Sequence, residues 1–294
     1  MKNDVRALRR WRRTAWVAPL AIPIAVTVVF AMRQQPQGVL DSFDLRREAA
    51  LSVELPLALR EVSGFAMTGD GRLFAHGDER GVVSQVDART GAIVKSFSLG
   101  TPPLRGDFEG IAIAGERFFL ITATGRLFET REAANGAAAQ YNSVDTGFGA
   151  RCELEGMAYN AADQTLIIGC KEPRDPALRG RVTLFRWSVA RRAPASPDRI
   201  SVPLADVIKG LRGKGFSPSA VEREARSGSY VVVAGPQRLV AEITAEGALV
   251  SARELSGRTH RQPEAIAFVG NDALLIGDEG GNRRGTLTRY SRAR

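Results

Sequence analysis

Apolar positions along the chain follow two patterns. From Thr14 to Met32 nineteen residues run without a charge, directly after thirteen residues that carry six positive charges. From Leu51 onward the apolar residues come in short β-branched and aromatic runs divided by Gly and Asp turns. Runs of that kind predict strands and hairpins rather than helices. The first group gives Val62–Met67, Arg72–His76, Val82–Asp87 and Ile93–Leu99, with turns at 68–71 and 88–91. The second gives Gly110–Ile113, Arg117–Thr122, Arg126–Thr130 and Tyr141–Asp145. The third gives Gly156–Tyr159, Thr165–Cys170, Val182–Val189 and Arg199–Pro203, and the fourth Ser219–Glu222, Tyr230–Ala234, Leu239–Thr244 and Leu249–Leu255. The fifth supplies only three strands, Ala265–Phe268, Leu274–Gly277 and Thr286–Tyr290.

One phrase opens each group: Glu61-Val-Ser-Gly-Phe, Glu109-Gly-Ile-Ala, Glu155-Gly-Met-Ala, Ser219-Ala-Val-Glu and Glu264-Ala-Ile-Ala. A repeat of roughly 40–50 residues built of short strands signals a β-propeller. The longer third unit carries extra loop material near 173–180 and 206–215. The strand missing from the fifth group is available in Leu51–Leu55, whose pattern matches the outer strands of other units. Pairing it with the last blade would close the ring and cover its open edge. The expected fold is therefore all-β, a five-bladed propeller of four-stranded blades closed by an N-terminal strand. Six blades is the alternative, if the third unit hides another.

The uncharged stretch adds one element outside the propeller. Its length suits one membrane-spanning helix, with Trp11 and Trp16 at interfacial positions and the Arg cluster on the cytoplasmic side. This divides the chain into 1–36, a basic tail, signal-anchor and linker, and 37–294, the propeller. The expectation is a single-pass inner-membrane protein with its propeller in the periplasm; the alternative is secretion after signal cleavage, with Val29-Phe30-Ala31 as the site.

The net charge of +9 is concentrated in that tail. Residues 1–36 hold seven Lys/Arg and one acid, which leaves 34 basic against 31 acidic residues in the remainder. With no basic, aromatic-interleaved patch, nucleic-acid binding is excluded as a reading. No nucleophile elbow, Walker loop or zinc-protease motif is present.

The candidate chemistry lies in the repeated glutamate. The first strand of a propeller blade lines the channel, and the second returns to the same rim. Glu61, Glu109, Glu155 and Glu264 should then share a funnel with Asp78, Glu79, Glu172, Asp278 and Glu279, with Asp107 and Glu153 approaching from loops. Converging carboxylates must be protonated, be paired, or hold a cation. Hard oxygen donors suit Ca²⁺, while Arg80, Arg126, Lys171 and Arg238 offer ion pairing instead. A mixed funnel could also take a small phosphorylated ligand. The plain alternative is that each Glu caps backbone N–H groups and locks the ring. His76 and His260 read as ordinary rim residues, and Ser63, Ser217 and Ser219 have no visible activating partner. Cys152 and Cys170 flank one hairpin and could form a disulfide in an oxidising compartment or remain free thiols.

These phrases, with Asp107-Phe-Glu-Gly-Ile-Ala, Cys152-Glu-Leu-Glu-Gly-Met-Ala-Tyr, Cys170-Lys-Glu and Gln262-Pro-Glu-Ala-Ile-Ala-Phe, resemble in order those of the SdiA-regulated, YjiK-like bacterial β-propellers. That family is related to the propellers named for an esterase-like activity of phytase. The resemblance covers about 50–294. It implies a periplasmic or surface propeller linked to calcium, with a proposed phosphoesterase activity, and its site would fall on Glu61, Glu109, Glu155, Glu172, Glu264 and Glu279. The sequence departs from the pattern at Thr122–Arg126, at Ser219 and at Pro236-Gln237, so two of the five rim positions lose carboxylates. Three functions follow as expectations: a cation- or ligand-binding propeller, a metal-assisted phosphoesterase, and an interaction platform without small-molecule chemistry.

Overall fold

Strand follows strand in the order that the turn signals predict. The structure is a computed structural model that describes residues 38–45 and 51–293. Its strands are β1 (Leu51–Glu54), β2 (Val62–Met67), β3 (Leu73–Gly77), β4 (Val82–Val86), β5 (Ile93–Leu99), β6 (Phe108–Ala114), β7 (Arg117–Thr122), β8 (Arg126–Arg131), β9 (Ala138–Ala139), β10 (Tyr141–Asp145) and β11 (Cys152–Asn160). They continue with β12 (Thr165–Pro173), β13 (Arg181–Ser188), β14 (Ala193–Pro203), β15 (Ala220–Arg223), β16 (Tyr230–Ala234), β17 (Leu239–Ile243), β18 (Leu249–Glu254), β19 (Pro263–Val269), β20 (Ala273–Asp278) and β21 (Thr286–Ser291).

The protein is an all-β, five-bladed propeller. Four blades are antiparallel meanders read from the axis outward: β2-β3-β4-β5, β6-β7-β8-β10, β11-β12-β13-β14 and β15-β16-β17-β18. The fifth is β19-β20-β21 with β1 as its outer strand. Leu51 to Glu54 pair with Arg289 to Thr286, so the ring closes as the sequence predicts. The six-blade alternative fails, because the long third unit spends its extra residues on loops and a one-turn helix at Leu204–Val207. Sequence reading missed β9, which leaves the second blade's outer connection to add a short parallel strand to β5.

An apolar core fills each blade-to-blade interface, as expected where every sheet has two buried faces. Phe65, Val62 and Leu73 of the first blade pack on Ala265, Leu275 and Leu287 of the fifth. Phe74, Phe97 and Phe118 meet edge to face between the first and second blades. Phe148 stacks on Phe185 between the second and third. Between the fourth and fifth blades the core takes in Val39, Leu40, Phe43 and Leu45, which precede the first strand. That segment lies within the 37–294 expected for the propeller, although no element was predicted for it.

Among the described residues no helix is long and apolar enough to cross a membrane. The expected span, Thr14–Met32, lies outside them.

Candidate functional site

The innermost strands β2, β6, β11, β15 and β19 all start at one rim of the channel. In four of them the pairing slips at the start, between Val62 and Gly64, Phe108 and Gly110, Leu154 and Met157, and Pro263 and Ala265. A bulge of this kind leaves one residue unpaired and re-aims its side chain. The slipped positions contain Ser63, Glu109, Glu155 and Glu264, and Ser219 precedes β15 at the matching place. The ring at the axis is thus Ser63, Glu109, Glu155, Ser219 and Glu264. Glu61 stands two residues outside it, on Arg60 at 3.2 Å. The small residue after each ring position has a steric cause. Gly156 has φ of +76°, and a Cβ there would lie 2.8 Å from Ala220 Cα on the next blade.

Contacts run around the ring. Ser63 Oγ donates to Glu109 Oε2 at 3.1 Å. Lys171, at the rim end of β12, places Nζ 2.5 Å from Glu155 Oε2. Glu155 and Glu264 lie close enough for each carboxyl to bear on the other's proton affinity. Ser219 Oγ donates to Pro263 O at 2.7 Å and accepts from Gly235 N at 3.0 Å. Gly235 must lack a side chain, since a Cβ there would lie 2.8 Å from Glu264 Oε1. Glu155 and Glu264 are buried, at 3% and 7% exposure. Glu264 Oε2 has no hydrogen-bond partner among the described residues.

Burial followed by the charge of Asp107 pushes Glu109 up to about 8, against the pull of Lys171 and Ser63. Burial, then Glu264, raises Glu155 far above the usual carboxylate range. Burial also raises Glu264, but its hydrogen bond with Glu155 and the Lys171 charge act the other way. Glu155 therefore holds its proton more tightly than Glu264. Burial works against the Lys171 ammonium, yet Glu155, Glu109 and Glu264 outweigh it and raise its pKa. At neutral pH Glu155 and Glu109 hold protons beside the Lys171 ammonium. A group of buried acids with separated proton affinities beside a cation marks a functional centre more often than an ordinary surface.

A second, wetter tier surrounds this cluster. Asp78 is raised by burial and then by Glu61, and Glu279 by burial, Glu264, Asp78 and Glu61. Glu279 accepts a hydrogen bond from Gln262. These three acids share the fifth-to-first-blade side of the mouth, and Glu79 is exposed beside them. The remaining expected residues lie elsewhere. Asp278 turns into the fifth blade, where its carboxylate meets His260 Nδ1 at 2.7 Å while His260 Nε2 meets the Tyr290 hydroxyl at 2.7 Å. Glu172 is exposed on the third blade's rim, and Glu153 is 3.9 Å from Arg174. Among the expected cationic partners Lys171 reaches the cluster. Arg126 points to Ser143 on the exterior, Arg80 lines the mouth beside Glu61, Asp78 and Glu79, and Arg238 lies against Gly257. His76 is fully buried in the first blade rather than at the rim, and burial lowers it to about 4.

Cys152 and Cys170 are joined in a disulfide. The bond ties the start of β11 to the rim end of β12, and so holds Glu155 and Lys171 on neighbouring strands.

No family model matches the chain. No curated protein matches it either. Solved structures share its fold. A glutaminyl cyclase of Myxococcus xanthus is 17% identical, with 83% of this chain and 94% of that one covered and a TM-score of 0.55. The PQQ-bound aldose sugar dehydrogenase of Streptomyces coelicolor is 15% identical, with 83% and 98% covered and a TM-score of 0.55. A luciferin-regenerating enzyme is 10% identical, with 83% and 97% covered and a TM-score of 0.50. Likeness at this level establishes the propeller, and a propeller hosts many chemistries.

Proposed function

We propose that the chain is a membrane-anchored periplasmic propeller that binds a divalent cation, calcium first, in its axial acid cluster, and that it belongs with the SdiA-regulated propellers it resembles. The observation that carries this reading is the convergence of Glu109, Glu155 and Glu264 on the axis, where a buried Glu264 oxygen is unpartnered. Carboxylate oxygens are the donors calcium selects.

Among the described residues no three acid, His or Cys side chains are ready as a metal cage. The ammonium of Lys171 stands among the carboxylates instead. Binding is then an exchange. Lys171 leaves the cluster, Glu155 and Glu109 release protons, and the cation takes their place. The Lys171 side chain is 32% exposed at the rim end of its strand, so it has a route to solvent. The disulfide supports an oxidising compartment, and the uncharged stretch at Thr14–Met32 supports the anchor.

Calcium titration by calorimetry in two buffers of different ionisation enthalpy tests the exchange. Buffer-dependent heat that disappears in Glu155→Gln is the expected result. Absence of heat at millimolar calcium would remove the proposal.

A further inference from the structure

The five innermost strands run the same way, so the channel has a second mouth at their far ends. There they line a cavity of about 500 Å³ with residues from all five blades. Its lining begins two residues past the ring, at Ile111 and Met157, and its charged residues lie three and four residues past Ser219, roughly 10–13 Å along extended chain. Its walls combine apolar side chains, among them Met67, Ile113, Met157, Tyr159 and Phe268, with about as much polar surface. Charge enters through two neighbouring residues of the fourth blade, Glu222 and Arg223.

Both charged groups are short of partners. Glu222 Oε1 accepts the Arg223 backbone N–H at 2.7 Å. Its other oxygen has no protein partner among the described residues, and burial pushes this carboxyl up to about 8. Arg223 Nε is buried and makes no hydrogen bond. The two side chains form no ion pair with each other or with any other described residue. The Arg223 charge favours the ionised form of Glu222 and a ligand ammonium would favour it further, while the buried Nε of Arg223 lacks an acceptor unless a ligand supplies one. A cavity of this size that sets apolar side chains beside convergent polar groups has the form of a small-molecule site.

We infer that the far mouth of the channel binds a free apolar α-amino acid. Its ammonium pairs with Glu222, its carboxylate pairs with Arg223, and its side chain lies among Met67, Ile113, Tyr159 and Phe268. A zwitterion meets both unpartnered charges at once, whereas an amine or an acid alone leaves one unmet. This site is independent of the acid cluster and of any cation there.

The test is calorimetry on the full chain with L-leucine and L-phenylalanine. The controls are 3-methylbutylamine, which lacks the carboxylate, and 4-methylpentanoate, which lacks the ammonium. One of the two amino acids should bind at least ~10-fold more tightly than either control, the scale set by one unpaired polar partner in a buried site. Glu222→Gln and Arg223→Gln should each weaken it by a similar factor while leaving the melting temperature and the calcium response unchanged. Ile113→Trp, which fills the cavity, should abolish it. Binding that ignores all three substitutions, equal binding of a control, or no binding of either amino acid at millimolar concentration would overturn the inference.

Discussion

Glu155 and Glu264 bear directly on each other's proton affinity although a whole blade lies between them in the ring. Ser219 explains how. It holds the fourth blade's ring position with a side chain too short to reach the axis, and spends its hydroxyl on Pro263 O and Gly235 N. Two acids that would otherwise be kept apart by a third act on each other across the gap. Lys171 closes the group from the second-and-third-blade side. A symmetric repeat thereby becomes a one-sided site.

Protonation of the cluster fixes how stability responds to pH. Glu109 and Glu155 hold protons more tightly folded than unfolded, so their contribution is fully present below the unfolded carboxyl value of 4.5 and is lost as pH rises through the folded values, about 8 for Glu109. Lys171, also raised, contributes throughout the range below its ordinary value of 10.5. Without calcium the melting temperature should therefore fall between about pH 5 and 9. Glu109→Gln, which stays neutral, should flatten that slope. Superimposable profiles would refute the assignment.

The disulfide closes a loop with a sequence separation of 18. Loop-closure entropy predicts that Cys152→Ser with Cys170→Ser lowers stability by about 3 kcal/mol. Chemical denaturation of the variant, and of the native protein with and without reductant, measures this. Because the bond also sets Glu155 beside Lys171, the variant should show weakened calcium binding even at temperatures where it is fully folded.

Close approach at the axis makes a third prediction. Gly156→Ala must place a Cβ 2.8 Å from Ala220 Cα at a φ of +76°. Strain plus displaced backbone should cost about 2–4 kcal/mol, a large value for one methyl group. An unchanged denaturation midpoint would mean that the blades have room at the axis, contrary to the packing described.

Blade number, strand order and ring closure were legible in the sequence because each rests on local signals: turn residues, short apolar runs and one recurring phrase. The register of the phrase was not. Aligning the glutamates placed Glu61 in the ring, but the bulge counts from the small residue that the close approach demands, and it puts Ser63 there. Asp278 follows the same logic. Its position at a second-strand end read as funnel, while His260 draws it into the blade interior, a pairing across eighteen residues with no mark in the local pattern. Lys171 was visible as one of four candidate cations. Only the third blade's geometry singles it out. Val39 to Leu45 fell inside the expected propeller but were given no element, because their partners lie two hundred residues away in the fourth and fifth blades.

The cation-exchange account rests on the Lys171 ammonium and an incoming cation competing for the same three carboxylates. Calcium titration of the wild-type chain beside Lys171→Met and Glu155→Gln tests it most directly. The account predicts that Lys171→Met binds calcium ~10-fold or more tightly than wild type, since no ammonium has to leave, and that Glu155→Gln binds at least ~10-fold more weakly, since a carboxylate ligand is gone. Equal affinities in all three, or weaker binding in Lys171→Met, would contradict it.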